Sequence, residues 1–294
     1  MALTNSLIKR LETDLMRDVG STTTLFSYVP VSGGSINDAY CLETNHGKFM
    51  LKVNNAKVYP GMFAAEAKGL KTIASTNTIA VPTVILNGEF EDDSYLILEW
   101  IEAKRATLKA SEALGRRLAE MHRNTAPAFG LDEGNYMGSL PQSNRKHATW
   151  KAFFVEERLQ PMVKLAVEKR LLNHSEIQLF ELLYLKLDDL FYEEQPALIH
   201  GDLWGGNYLA RTDDKPYLID PAISYGNREF DIAMTTLFGG FTNEFYSAYD
   251  EAFPLQKGWE ERLDLWNLYP LLLHLNLFGR SYLGQVRAAL NSYL

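Results

Sequence analysis

The sequence predicts an α+β fold with two lobes, a small antiparallel sheet followed by a larger, mainly helical part. Strand-like runs crowd the first third of the chain, where one Ala-rich helical segment interrupts them. Apolar residues at three- and four-residue spacing dominate after residue 111. The character of the sequence changes between these regions, so we expect one lobe over residues 1–101 and the other over residues 102–294.

The first lobe should contain five strands and two helices. Apolar residues at helical spacing after Asn5 and Ser6, two residues able to cap a helix, predict an opening amphipathic helix. Strands are expected over residues 25–31, 39–44, 48–53, 83–86 and 95–100, with a second helix over residues 62–74. The segment Asn45-His46-Gly47 has the composition of a hairpin turn, so the second and third strands should pair antiparallel.

The second lobe should be helical except for one central stretch. Helices are expected over residues 111–124, 150–168 and 175–191, and again from residue 229 to the end. Between them, residues 196–221 contain short apolar runs separated by glycine, which is typical of short strands joined by loops.

The composition excludes several classes of protein. The net charge of -8 and the isoelectric point near 5.4 argue against a basic surface for nucleic acid. No apolar run approaches membrane-spanning length, and the N-terminus lacks the pattern of a signal or transit peptide. Cys41 is the single cysteine, so no internal disulfide is expected and a cytoplasmic location is predicted. We therefore expect a small or peptide-linked substrate, with no nucleic-acid or membrane partner.

Three polar residues on consecutive loops give the strongest chemical signal. The run His200-Gly201-Asp202-Leu203-Trp204-Gly205-Gly206-Asn207 is followed by Ile219-Asp220-Pro221. Phosphoryl transfer needs a carboxylate that accepts the proton of the attacking hydroxyl, and it needs oxygen ligands for Mg²⁺. The separation of Asp202 and Asn207 matches that of base and metal ligand in kinase catalytic loops. Each residue alone could be an ordinary turn residue. As a set they predict Asp202 as the catalytic base, and Asn207 and Asp220 as ligands of Mg²⁺.

A lysine in an apolar strand gives independent support. Lys52 lies in the run Phe49-Met50-Leu51-Lys52-Val53, and a buried lysine requires a partner. Glu66, in the helix that follows, can pair with it, and in kinases such a pair holds the lysine against the phosphates of ATP. The alternative is a solvent-facing position of the strand. With the downstream loops, the pattern favours Lys52 and Glu66 as the pair that positions ATP.

Two further segments are candidates for ATP binding by their position. The segment Gly33-Gly34-Ser35 lies between two predicted strands, where backbone amides can approach phosphates, although most glycine pairs mark plain turns. The segment Glu99-Trp100-Ile101 ends the last strand of the first lobe, where the backbone of a hinge could contact an adenine edge.

These residues resemble the fructosamine (ketosamine) kinase family, within the aminoglycoside- and choline-kinase-like group that shares the protein-kinase fold. The tryptophan after Asp202-Leu203 is a feature of ketosamine kinases, as are the runs at residues 225–231, 238–241, 245–249 and 274–279. The resemblance extends from Gly33-Gly34 to Gly279. It implies a bilobal kinase that uses ATP and Mg²⁺ to phosphorylate a sugar hydroxyl of a fructosamine or ribulosamine. Phosphorylation at the third carbon would destabilise the adduct and so cause deglycation.

The resemblance also implies two residues on the substrate side, Trp204 and His274. Their alternatives are a packed aromatic side chain and a histidine satisfied within its helix. Ser35 stands where several relatives carry a cysteine, so a thiol switch in that loop is not expected. Asn227 replaces a histidine common in the family, which leaves the role of that position open.

Other functions stay open on the sequence alone. A related kinase of the same fold would act on choline, an aminoglycoside or homoserine. A pseudokinase would bind nucleotide without turnover, although all the expected catalytic positions are filled. A hydrolase using His200 and Asp202 would need a nucleophile, and no Gly-x-Ser-x-Gly run occurs. The sequence indicates neither the sugar of the ketosamine nor the oligomeric state.

Overall fold

The strand-rich first part of the chain forms the predicted antiparallel sheet. We describe residues 3–31 and 36–294 of a computed structural model. The sheet strands are β1 (Leu25–Pro30), β2 (Asp38–Thr44), β3 (Gly47–Asn55), β4 (Val84–Phe90) and β5 (Asp93–Glu99). They are ordered β1-β2-β3-β5-β4, and each neighbouring pair is antiparallel. The predicted hairpin is confirmed, because Thr44 lies opposite Gly47 across the β2–β3 turn.

Two helices pack against this sheet in separate apolar clusters. The leucine stripe of α1 (Asn5–Val19) packs with Leu51. The apolar side of α2 (Met62–Ser75) packs with Leu96, the residue that pairs with Lys52 across β3 and β5. Because side chains alternate between the faces of a strand, Lys52 shares the α2 side of the sheet with Leu96.

The first helix is confirmed, but its cap differs from the prediction. Thr4, rather than Asn5 or Ser6, is the cap residue, and its hydroxyl accepts a hydrogen bond from the Leu7 N–H at 3.2 Å. A cap residue needs an extended backbone, which Thr4 has with φ -73° and ψ 151°. Asn5 and Ser6 already belong to the helix.

The remaining part of the chain is mainly helical, which confirms the α+β fold class. Its helices are α3 (Leu108–His122), α4 (Trp150–Phe153), α5 (Gln160–Glu168), α6 (His174–Leu190), α7 (Glu229–Leu237), α8 (Asn243–Ala252), α9 (Leu263–Phe278) and α10 (Leu283–Asn291). A π-helical segment, Phe154–Leu159, joins α4 to α5, so the helix predicted over residues 150–168 is locally widened. Trp150 and Trp266 lie at the centre of the aromatic core. Across residues 3–31 and 36–294, no helix combines the length and apolar character that crossing a membrane requires.

Short strands in the helical part carry the two motif loops. They are β6 (Ala103–Lys104), β7 (Asn135–Met137), β8 (Leu140–Gln142), β9 (Ala197–Ile199), β10 (Tyr208–Arg211), β11 (Pro216–Leu218) and β12 (Ser224–Gly226). Residues 200–207, here called the Asp202 loop, connect β9 to β10, and residues 219–223, the Asp220 loop, connect β11 to β12. Because β9 pairs with β12 and β10 pairs with β11, the two loops lie side by side.

Candidate active site

The Asp202 loop and the Asp220 loop are joined by backbone hydrogen bonds. The Ile219 N–H donates to the Asn207 carbonyl at 3.0 Å, and the Ala222 N–H donates to the His200 carbonyl at 2.9 Å. The approach is closest at Gly201, where φ is +82° and a Cβ atom would lie 2.2 Å from the Ala222 carbonyl oxygen. Only glycine fits that position without moving the backbone.

Asp202 and Asn207 contact each other within the Asp202 loop. The Asn207 Nδ2 donates to the Asp202 Oδ2 at 3.0 Å and to the Asp202 carbonyl at 2.8 Å. Asn207 is buried, whereas Asp202 is partly exposed to the cleft. Burial and then the charge of Asp220 raise the pKa of Asp202 to about 7, against the hydrogen bond from Asn207, which lowers it.

Lys52 is buried and makes two ion pairs, so the alternative of a solvent-facing lysine is wrong. Its side chain is 7% exposed, and its Nζ donates to the Glu66 Oε1 at 2.7 Å and to the Asp220 Oδ1. Burial alone would lower the pKa of Lys52, but the carboxylates of Asp220 and Glu66 raise it above the ordinary value. The lysine therefore stays charged at neutral pH and joins the sheet side of the site to the Asp220 loop.

The backbone of Asp220 has a left-handed conformation. Its φ is +54°, a value that aspartate tolerates better than most residues but that still costs free energy. Such strain is found where a surrounding structure fixes a functional side chain. Here the neighbouring backbone bonds of Ile219 and Ala222 hold the loop that presents Asp220 to Lys52.

A buried aspartate that sequence reasoning missed supports the start of the Asp202 loop. The carboxylate of Asp231, in α7, accepts hydrogen bonds from the His200 N–H at 2.6 Å and the Gly201 N–H at 2.8 Å. His122 of α3 contacts the same carboxylate at 3.1 Å, and its other ring nitrogen contacts the Tyr249 hydroxyl at 2.7 Å. The available signal was a charged residue within the otherwise apolar segment Phe230-Asp231-Ile232-Ala233-Met234.

His200 is engaged at both ring nitrogens, which argues against its use as a hydrolase base. Its Nδ1 accepts from the Asp202 N–H at 3.2 Å, so its Nε2 carries the proton and donates to the Ile219 carbonyl at 2.9 Å. Burial lowers the pKa of His200, which agrees with a neutral ring. The histidine thus links the two loops as a structural residue.

The charged residues border one cleft of about 590 Å³. Seven predicted site residues line it: Lys52, Glu66, Asp202, Trp204, Asn207, Asp220 and His274. Among the described residues that line the cleft, none belongs to the predicted hinge, Glu99-Trp100-Ile101. In the hinge, the Glu99 Oε2 accepts a hydrogen bond from the Thr83 N–H at 3.1 Å. The segment Gly33-Gly34-Ser35 lies outside the described residues.

One side of the cleft is an aromatic wall formed by Trp204, Phe238, His274 and Phe278. Phe238 lies 6.3 Å from Trp204 and 4.9 Å from His274 between ring centroids, and His274 lies 5.4 Å from Phe278. The His274 Nδ1 donates to the Pro270 carbonyl at 2.7 Å, which leaves its Nε2 as an acceptor. Burial lowers the pKa of His274 despite that hydrogen bond. Phe238 and Phe278 were not predicted as site residues.

The oxygen atoms of Asn207 and Asp220 suit a hard divalent cation. The Asn207 amide nitrogen already donates to Asp202, so its Oδ1 is the atom that remains for a metal ion. One oxygen of Asp220 contacts Lys52, and its second oxygen remains. Amide and carboxylate oxygens next to phosphates are the ligands that Mg²⁺ prefers. The residues present therefore fit a magnesium site.

Comparisons with known sequences show which proteins the chain is similar to. The model of the fructosamine kinase family matches residues 7–294. The probable ketoamine kinase of Enterococcus faecium is 41% identical over 271 residues, which cover 90% of this chain and 94% of the relative.

Solved structures resemble the chain over nearly its whole length. A Haemophilus somnus 129PT protein assigned as a fructosamine-3-kinase superposes with a TM-score of 0.89 at 28% identity, covering 98% of this chain and 99% of that one. An aminoglycoside phosphotransferase, solved as a ternary complex with AMP-PNP and hygromycin B, superposes with a TM-score of 0.62 at 16% identity, covering 96% and 98%. At that identity the second likeness concerns the fold, which confirms the protein-kinase-like architecture.

Proposed function

The chain belongs to the fructosamine kinase family, and we propose that it transfers the γ-phosphoryl group of ATP to a sugar hydroxyl of a ketosamine. The ketosamine is a fructosamine or a ribulosamine, carried by a small amine or by a protein side chain. The observation that supports this most is the convergence of Lys52, Glu66, Asp202, Asn207 and Asp220 on one cleft. Phosphoryl transfer needs this set of positioned charges and little covalent help.

Asp202 is the base in this proposal. Its carboxylate accepts the proton of the sugar hydroxyl while the hydroxyl oxygen bonds to the γ-phosphorus. The bond from that phosphorus to the β–γ bridging oxygen breaks, and ADP leaves with the electron pair. Asn207 orients the carboxylate through its contact with the Asp202 Oδ2.

Lys52 and Glu66 hold the phosphates of ATP. Lys52 supplies the positive charge, and Glu66 fixes its orientation through the 2.7 Å contact. We assign the backbone of Gly33-Gly34-Ser35 to the phosphates and that of Glu99-Trp100-Ile101 to the adenine edge. Residues 1–101 thereby form the ATP-binding lobe, and residues 102–294 form the lobe that carries the base, the metal ligands and the acceptor site.

Mg²⁺ would be held by Asn207 and Asp220, where it would neutralise charge on the phosphates. We expect turnover to stop in excess chelator and to return when Mg²⁺ is added beyond the chelator. Full turnover in excess chelator would mean that the reaction does not require Mg²⁺.

The aromatic wall binds the acceptor. Trp204 offers a ring face to the sugar or to the carbon chain of its amine, and the neutral His274 offers its Nε2 to a sugar hydroxyl. The side chains of the wall carry no charge in this state, which favours a ketosamine over a polycationic aminoglycoside. Phosphorylation at the third carbon makes the adduct unstable, so the reaction results in deglycation, and we place it in the cytoplasm.

The test is ATP consumption by the purified chain with Mg²⁺ and a panel of acceptors. The panel contains a fructose-lysine, a ribulose-lysine, choline and an aminoglycoside. We expect turnover on the two ketosamines alone, and their rates rank the sugars. Turnover on choline or the aminoglycoside would keep the mechanism and overturn the acceptor, whereas no turnover on any of them would favour a pseudokinase.

A further inference from the structure

A short hairpin crosses from the helical part of the molecule to the side of the cleft that carries the lysine. It consists of β7 and β8 with the turn between them, residues 135–142, and we call it the cleft hairpin. Asn135, Tyr136, Met137 and Gly138 line the cleft. At the turn, a Cβ atom on Gly138 would lie 3.0 Å from the Leu277 Cδ1 and 3.6 Å from the Ile36 Cδ1, so the turn is wedged between α9 and the chain just before β2.

The base of the cleft hairpin is fixed to the Asp220 loop by a chain of hydrogen bonds that is partly buried at Asn135 and buried at Tyr269. The Asn135 Nδ2 donates to the Ile223 carbonyl at 2.9 Å, and the Gln142 Nε2 donates to the Asn135 Oδ1 at 2.8 Å. The Tyr269 hydroxyl donates to the Gln142 Oε1 at 2.5 Å. Gln142 and Tyr269 are 5% and 2% exposed. Each link has a defined donor and acceptor. The link between Gln142 and Tyr269 is shielded from water, where such a bond is hard to displace, and the two links of Asn135 are partly buried.

Next to Asn135 on β7, Tyr136 contacts the entrance to α2. The Tyr136 hydroxyl donates to the Pro60 carbonyl at 3.0 Å, and Pro60 precedes Gly61, the residue that caps α2. On the outer side, Glu133 pairs with Lys68 of α2 at 2.9 Å. That pair is exposed and contributes little. The Tyr136 hydrogen bond also lies near the surface, but a half-buried ring donates it to a backbone carbonyl, so fewer side-chain torsions must be ordered to keep it than in the Lys68–Glu133 pair.

α2 also carries Glu66, which orients Lys52. The ion pairs of Lys52 span the same gap as the hairpin, because Glu66 comes from α2 and Asp220 comes from the loop that Asn135 holds. The hairpin thus contacts both of the elements that supply the two carboxylates sharing one lysine. A displacement of α2 relative to the Asp220 loop would stretch one of the two contacts.

We propose that the cleft hairpin positions α2 for phosphoryl transfer, with Tyr136 as a positioning residue that acts through Glu66. The inference rests on the proposed function for its reaction, but its contacts do not depend on which acceptor binds. Tyr136 also lines the cleft, so the test must separate positioning of α2 from direct contact with the acceptor.

The test is a double-mutant cycle of Tyr136→Phe and Glu66→Gln, with kcat/KM for ATP as the main measurement. The loss of one hydrogen bond of about 1 kcal/mol corresponds to roughly a fivefold fall in kcat/KM. We expect this fivefold fall in kcat/KM when Tyr136→Phe is made in the unmodified chain. When it is made in Glu66→Gln, we expect kcat/KM to fall less than twofold. KM for the ketosamine should stay constant in both cases. Tyr192→Phe is the matched control, because that ring is 75% exposed.

Two results would overturn the inference. One is an equal fall in both backgrounds, which would mean that Tyr136 does not act through Glu66. The other is an effect confined to KM for the ketosamine, which would make Tyr136 an acceptor contact. The same cycle can be measured without an acceptor, as the affinity for AMP-PNP and Mg²⁺ determined by calorimetry. We expect Tyr136→Phe to weaken this binding in the chain that retains Glu66, and to leave it unchanged in Glu66→Gln. A chain that failed to phosphorylate ketosamines would therefore refute the proposed function and still leave this inference testable.

Discussion

The Asp202 loop and the aromatic wall border the same cleft but are held in different ways. Two backbone N–H groups of the loop are bound by Asp231, which is fully buried. The wall consists of rings in loose contact, and Trp204, Phe238 and Phe278 are 38%, 42% and 54% exposed. Hydrogen bonds fix atoms by direction, whereas ring contacts tolerate shifts. The molecule therefore fixes its reacting groups and leaves its acceptor surface adaptable.

The largest effect should come from the base itself. Asp202→Asn keeps the shape and the contact with Asn207 but removes the proton acceptor, so we expect kcat to fall about 10²- to 10⁴-fold. Binding of AMP-PNP, measured by calorimetry, should stay within about twofold, since the phosphates are held elsewhere. Asp189→Asn, at an exposed position of α6, is the control. An unchanged kcat would contradict the assignment of the base.

Asp231→Ala should break the support of the loop. It leaves the His200 and Gly201 N–H groups buried without an acceptor, at about 1–3 kcal/mol for each group. We expect the free energy of unfolding in urea to fall by about 2–6 kcal/mol, together with kcat. Asp189→Ala should change neither quantity. A loss below about 1 kcal/mol would mean that the loop does not depend on this carboxylate, and the contrast with the wall would disappear.

A change in the wall should alter acceptor binding and little else. Phe238→Leu removes ring contacts with Trp204 and His274, so we expect KM for the ketosamine to rise about three- to tenfold, which corresponds to roughly 0.5–1.5 kcal/mol. KM for ATP and the unfolding free energy should stay nearly constant. Tyr192→Leu, on an exposed ring, is the control. A fall in kcat at constant KM would show that the wall positions reacting groups as well.

The smallest effect concerns the pH dependence of stability at the wall. Because burial lowers the pKa of His274, the unfolded chain binds a proton near pH 6.5 that the folded chain takes up only at lower pH. Stability should therefore decrease as pH falls below about 6.5, and His274→Phe should reduce this decrease by up to about 1 kcal/mol between pH 7 and pH 5.5. Urea unfolding at both pH values measures it, with His46→Gln as an exposed control. An unchanged pH slope in His274→Phe would mean that the ring titrates normally.

The site residues that could be predicted from the sequence interact with residues close to them along the chain. Asp202 and Asn207 are separated by one short loop, so their spacing nearly determines their contact. Lys52 could be identified because a lysine within an apolar strand requires a partner, and Glu66 in the following helix supplies one. The five strands of the sheet and most of the helices were likewise predicted, since their periodicity is a property of neighbouring residues. The expectation that residues 196–221 hold all the strands of the second lobe was wrong, because β6, β7, β8 and β12 lie outside that stretch.

The parts that sequence reasoning missed depend on packing between distant segments. Asp231 meets His122 across more than a hundred residues. Asp231 ends the run at residues 225–231, but nothing in that run indicates His122 as its partner. Phe238 and Phe278 become wall residues only because α7 packs against α9. The cleft hairpin has short strands with weak periodicity, and its function comes from contacts with Pro60 and Ile223 that no local pattern indicates.

The central claim is that the fixed loops transfer a phosphoryl group to a ketosamine hydroxyl. Phosphorus NMR of the chain with ATP, Mg²⁺ and a fructose-lysine tests it most directly. We predict a new phosphomonoester resonance that grows in step with ADP, followed by slow release of free lysine as the adduct decomposes. If ADP were instead matched from the start by inorganic phosphate, with the fructose-lysine unchanged, water would be the acceptor and the claim would be wrong.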